Sequence, residues 1–107
     1  MIIVTTTWPS EADAERAAEA AVVERLAACA QVQGPIRSVF RWEGKLDRAT
    51  EWYCHLKTTA ERYPALEARL RALHPYEVPE ILAVPIVDGA EPYLNWVEKG
   101  LRRDLTA

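Results

Sequence analysis

The sequence predicts an α+β domain of ferredoxin-like βαββαβ order: one antiparallel sheet with helices against it, and an additional helix at the C-terminal end. Three observations carry this. β-branched and aromatic runs alternate with stretches of helical apolar period, in the order strand, helix, strand, strand, helix, strand, helix. The second and fourth strands contain prolines, Pro35 and Pro85, which lack the N–H that an inner strand needs. In this topology the second and fourth strands are the sheet edges, where that donor is not missed. A chain of 107 residues, 50 % hydrophobic and 27 % charged, suits one domain spanning residues 1–107 with one core.

Ile2-Ile3-Val4-Thr5-Thr6-Thr7 is an unbroken β-branched run, and Trp8-Pro9 ends it. Ser10 stands three residues ahead of Asp13 as in a capping box, which starts a helix. Ala14, Ala18, Ala21, Val22 and Leu26 mark its inner face, while Glu11, Glu15, Arg16, Glu19 and Glu24 take the outside. Cys29 to Val32 begins the second strand, interrupted by Gly34-Pro35. After the break Ile36, Ser38, Phe40 and Trp42 share one face, and Arg37, Val39 and Arg41 the other.

Glu43-Gly44-Lys45-Leu46-Asp47 reads as a turn-rich link. In the third strand Trp52, Cys54, Leu56 and Thr58 alternate with Glu51, Tyr53, His55 and Lys57, so the two strands form a hairpin. Thr59 reads as the N-cap of a second helix, with Glu61 in its first turn. Tyr63, Leu66, Leu70 and Leu73 are its apolar stripe, and Pro75 stops it at His74 or one residue earlier. Ile81 to Val87 is the fourth strand, closed by Asp88-Gly89. Pro92 opens a last helix bearing Tyr93, Leu94, Trp96, Val97 and Leu101, with Arg102 and Arg103 at its C-terminal end.

Composition narrows the function. A net charge of −3 and the absence of an aromatic signature in a basic setting argue against nucleic acid. No apolar run approaches the roughly 20 residues of a membrane span, so no membrane is expected. Met1-Ile2-Ile3-Val4 lacks the charged start of a signal peptide, which predicts a cytoplasmic protein with Cys29 and Cys54 as free thiols. Cys54 belongs to the core with Trp52 and Leu56. Cys29 reads as a small core residue or as a functional thiol. His55, on the face opposite Cys54, belongs to the surface or to an interface.

His74-Pro75-Tyr76-Glu77-Val78-Pro79-Glu80-Ile81 is the stretch richest in chemistry. Two prolines stiffen it, and it carries an imidazole, a phenol and two carboxylates between a helix and a strand. No C-x-x-C or H-x-x-x-H pair supports a zinc site within one subunit. A thiol with an imidazole would suit copper, although spacing alone does not bring Cys29 to His74. Nucleophile-elbow, P-loop and dinucleotide motifs are absent, and the expectation is a non-enzyme. A Cys29–His74 thiolate pair and Lys57 with Glu51 as acid–base partners stay open as the enzymatic alternative. The proline-broken edges and the aromatics Phe40, Trp42 and Trp52 suggest a closed ring of copies joined at their sheet edges.

Five blocks, in order, carry a family resemblance: Leu26-Ala27-Ala28-Cys29-Ala30, Ser38-Val39-Phe40-Arg41-Trp42-Glu43-Gly44-Lys45, Leu56-Lys57-Thr58, the His74–Ile81 stretch, and Tyr93-Leu94-x-Trp96. With them the chain resembles the CutA family of divalent-cation-tolerance proteins along nearly its whole length. The resemblance implies a ferredoxin-like subunit similar to the PII signalling proteins, a cytoplasmic homotrimer, and an association with copper and other divalent cations. In some members the copper ligands are a cysteine near the end of the first strand and two adjacent histidines before Pro-Tyr. Here those positions hold Thr6 and Leu73-His74, which leaves His74 and Cys29 as the candidate metal donors. Trp42, Glu51, Lys57, Tyr76 and Glu80 match positions that the resemblance gathers around a cleft between subunits. A PII-like small-ligand sensor using that cleft, with metal binding incidental, is the alternative function.

Overall fold

The computed structural model describes residues 1–102. Its elements follow the expected order: β1 (Ile2–Trp8), α1 (Glu11–Val23), β2 (Cys29–Trp42), β3 (Lys45–Thr58), α2 (Tyr63–Leu73), β4 (Ile81–Pro85) and α3 (Glu91–Leu101). The antiparallel sheet runs β2-β3-β1-β4, so the two proline-bearing strands are its edges, as the sequence predicts. Period-two alternation decides which side is dry. Val4, Thr6 and Trp8 of β1 pair with Leu56, Cys54 and Trp52 of β3, and this side packs on α1 and α2. Ala14, Ala17 and Ala21 are buried there, and Leu66 and Leu70 complete the core.

Two details of α1 differ from the periodicity reading. Ala17 replaces Val22 on the inner face, and Val22 is exposed. Leu26 lies beyond the helix, which ends at Val23 before Arg25 takes a left-handed φ of 57°. The N-terminal prediction holds on its Ser half: Ser10 Oγ accepts from the Asp13 N–H at 3.1 Å. The Asp13 carboxylate bonds Arg16.

The hairpin departs further. Its link is only Glu43-Gly44, with φ of 50° and 78°, the backbone of a tight two-residue turn. Lys45 to Asp47, expected as link, is strand together with Arg48 to Thr50, paired to β2 as far as Trp42. β2 and β3 are therefore 14 residues each and project as an arm, which accounts for a molecule 49 Å long and 22 Å thick. A register shift between Gln33 and Ile36 falls at the Gly34-Pro35 break. Gly34 is there for a second reason: a Cβ would come within 2.4 Å of the Trp52 ring.

α2 starts later than predicted. Thr59 Oγ1 accepts from the Arg62 N–H at 3.4 Å in a preceding turn, and Pro64 occupies the first helical turn. The helix ends at Leu73, as Pro75 requires, and β4 is shorter than expected, closing at Pro85. In α3, Val97 and Leu101 are buried. Tyr93 reaches Cys29, whose pairing partner Lys57 faces away from α1 and α2, so α3 laps onto the other side of the sheet at that end. Arg102 caps α3, and Arg103 lies outside the described residues.

Candidate functional site

The site is built where the arm meets the connector between α2 and β4. Pro75 excludes helical backbone at His74, which turns extended (φ −78°, ψ 133°) and sends the chain across the end of β1. His74 is then consumed by its surroundings. Its Nε2–H donates to the Thr7 carbonyl at 2.7 Å, and its Nδ1 accepts from the Tyr76 N–H at 3.1 Å. A carbonyl can only accept and an amide N–H can only donate, so these two bonds fix the neutral Nε2–H tautomer. The ring stacks on Trp8 at 4.1 Å. Burial pulls its pKa below the usual imidazole range, against the opposing pull of the Thr7 bond and the Glu51 charge.

The same connector delivers Tyr76 to β3. The Tyr76 hydroxyl donates to Glu51 Oε2 at 2.9 Å, and Glu51 is only 6 % exposed. Burial first, and then Glu51, pushes the Tyr76 phenol up to about 12. Glu80 answers to the same charge: partial burial and Glu51 raise its carboxyl above the ordinary value. These groups open into a pocket of about 870 Å³ under the arm, whose walls include Phe40, Trp42, Tyr53 and Tyr76. Arg37 and Arg41 stand exposed at its rim.

Of the residues expected at a cleft, Trp42, Glu51, Tyr76 and Glu80 line this pocket, and Lys57 does not. Lys57 shares a face with Glu51 but sits six residues along β3, about 20 Å away. It donates instead to Gln31 Oε1, beside a second polar set in which His55 Nδ1 meets Thr5 Oγ1 at 3.1 Å and Nε2 meets Gln33 Oε1 at 3.0 Å. Burial, then Lys57, lowers the His55 pKa.

Cys29 and His74 do not converge. Cys29 pairs with Lys57 at one end of the sheet, whereas His74 binds Thr7 at the other, about 13 Å away along β1. Cys29 is half-buried, with its Sγ 3.1 Å from the Tyr93 hydroxyl. Among the described residues no three His, Cys, Asp or Glu side chains cluster to hold a metal. A copper site of the Cys29–His74 type therefore does not fit one subunit: both His74 nitrogens are taken, and the thiol is distant. Cys54 is core, as expected, and burial pushes its thiol up to about 12. Sequence reasoning missed Thr7 as the His74 acceptor, Tyr93 as the Cys29 partner, and Tyr53 as a pocket wall.

Comparison with known proteins agrees with this architecture. The sequence profile of the CutA1 divalent ion tolerance protein family matches residues 2–100. The divalent-cation tolerance protein CutA of Thermus thermophilus is 43 % identical over 97 residues, covering 91 % of this chain and 94 % of that one. Mouse protein CutA is 41 % identical over 93 residues, 87 % of this chain, which spans only 52 % of the mouse protein. The solved structure of the CutA described as periplasmic from Archaeoglobus fulgidus superposes with a TM-score of 0.91 at 36 % identity, over 95 % of this chain and all of that one. Among the described residues no helix is long and apolar enough to cross a membrane. With a profile match across nearly its whole length and these identities, the chain belongs to the CutA family of divalent-cation-tolerance proteins.

Proposed function

We propose that this chain is a non-catalytic binding module that works as a cytoplasmic homotrimer and that its assembled form meets divalent cations, copper among them. One observation carries the assembly: the sheet is unfinished on both rims and on the face that α1 and α2 leave uncovered. β2 and β4 each present one unpaired edge. On the uncovered side Leu82 is 57 % and Val84 53 % exposed, and Trp42 on the arm is 45 % exposed. Unpaired edges beside exposed apolar side chains favour pairing with further copies.

Two things support binding over turnover. The thiol–imidazole pair that nucleophilic chemistry would need does not form, and the other thiol is held protonated by burial. The names of the bacterial relatives supply the cation link. Since His74 is spent on backbone bonds, the cation contact belongs to groups that meet only between copies. Titration of copper(II) and zinc(II) into the protein and into Cys29→Ala tests this. Saturable binding that survives Cys29→Ala is expected, and the absence of any saturable binding would refute the cation reading.

A second reading is favoured by the pocket. A PII-like sensor holding a small organic ligand under the arm would use Glu51, Tyr76 and Glu80, with cations incidental. A buried carboxylate facing an aromatic-walled pocket of this size supports it. A thermal-shift screen against nucleotides, small anions and amines tests it: a saturable rise supports the sensor, and no shift across the panel removes it.

A further inference from the structure

Glu51 brings a carboxyl to the wall of the pocket under the arm, and among the described residues no cation pairs with it. Glu51 is only 6 % exposed, yet its one hydrogen-bond partner among the described residues is a neutral phenol, Tyr76, on Oε2. No lysine, arginine or histidine within the described residues bonds it. A carboxylate withdrawn from water calls for a cation or further donors to replace its hydration. Oε1 makes no hydrogen bond among the described residues and keeps contact with solvent, so it is open to whatever enters the pocket.

The walls say which kind of cation. Phe40, Trp42, Tyr53 and Tyr76 bring four rings to a pocket of about 870 Å³, and ring faces attract organic ammonium groups. A hard divalent ion instead wants six or more oxygens at about 2.0–2.6 Å; Glu77 also lines the pocket, but among the described residues no group of three His, Cys, Asp or Glu side chains is placed to hold a metal. Glu80, at the rim, adds a second carboxyl. Arg37 and Arg41 share that rim, but they are exposed and form no ion pair with Glu51, so solvent screens them.

We propose that this pocket binds a primary ammonium carried on a flat aromatic or short apolar body, with Glu51 as its anchor and the aromatic side chains of the arm and connector around it. The proposal rests on the small-ligand reading above and names its ligand class. The N–H groups donate to the free Glu51 oxygen, and the Tyr76 hydroxyl holds the other oxygen so that the carboxylate stays aimed. A cationic side chain from a neighbouring copy is the competing occupant, and it would exclude a small amine.

The test uses the full chain in its native assembly, with phenethylammonium chloride as probe and 2-phenylethanol as its neutral analogue. Calorimetry gives affinity, and amide shifts in two-dimensional NMR locate the site. The expected result is saturable phenethylammonium binding with shifts at Tyr53 and Tyr76, weakened about tenfold by Glu51→Gln, and no saturation by 2-phenylethanol. Should Glu51→Gln fail to fold, Glu80→Gln decides, with about threefold weakening expected and an unchanged affinity counting against the proposal. Equal binding of the two probes would overturn the ammonium assignment while leaving the pocket a ligand site. Failure of both probes to bind, with a fragment panel also silent, would overturn the small-ligand reading as well.

Discussion

His74 is the residue on which the sequence and structural readings diverge most. Its neighbours Pro75 and Tyr76 suggest a ligand, but its nitrogens are fixed by Thr7 and by the Tyr76 N–H, contacts that depend on where β1 ends relative to α2. Nothing local in the sequence encodes them. His74→Ala leaves a buried carbonyl and an amide without partners and should cost about 2–4 kcal/mol in denaturant unfolding. The acid sign follows from its pKa. The folded value lies below the unfolded one near 6.5, so the unfolded chain takes up the proton more readily. The His74 contribution is present above about pH 6.5 and is lost as pH falls below it; urea midpoints at pH 7.5 and 5.5 should differ in wild type, and less so in His74→Ala.

The two thiols were harder to separate by sequence than by structure. Alternation put Cys54 in the core correctly, whereas Cys29, at the start of an edge strand, offered no such guide. Under native conditions a disulfide exchange reagent should titrate Cys29 and leave Cys54 unreacted until the protein is denatured. Cys54 is fully buried, with its thiol raised to about 12. Equal native rates for both would contradict the placement of Cys54. Of the pocket residues, Glu51 and Tyr76 lie 25 positions apart, and their bond was invisible to spacing; it was family resemblance that put them together.

At the scale of elements, most of the fold was legible. Apolar periodicity separated helices from strands, and Pro35 and Pro85 identified the edge strands. The length of the arm was not legible, for a physical reason. Lys45-Leu46-Asp47 has no buried face in the subunit, so its side chains show no apolar alternation and it reads as part of the link. Its strand character comes from the partner strand and from the turn. Glu43 carries a left-handed φ of 50° that costs a non-glycine residue energy, so Glu43→Asn should raise stability by up to about 1 kcal/mol. Gly34→Ala should do the reverse, by about 1–3 kcal/mol, because the methyl meets the Trp52 ring. Chemical denaturation of the two single variants checks both signs.

For the whole molecule, a single subunit leaves much of its own surface unresolved. One sheet face is covered by α1 and α2, while α3 reaches only one end of the other. The arm extends its apolar side chains, Phe40 and Trp42, away from the core that α1 and α2 cover. Both rims keep unpaired backbone groups, and the pocket lies between arm and connector, where a neighbouring copy would close it. Pairing of rims is a closed, symmetric solution only if each copy meets the next in the same way. A shortened arm would remove one side of the contact.

The most direct test is the mass of the purified protein in solution, by sedimentation equilibrium at micromolar concentration. Copies that complete one another's sheet should give about 36 kDa, three times the 12.1 kDa of the chain, without dissociation on dilution across that range. A stable 12.1 kDa particle would contradict the account, because rims, arm and pocket would then all be finished by solvent alone.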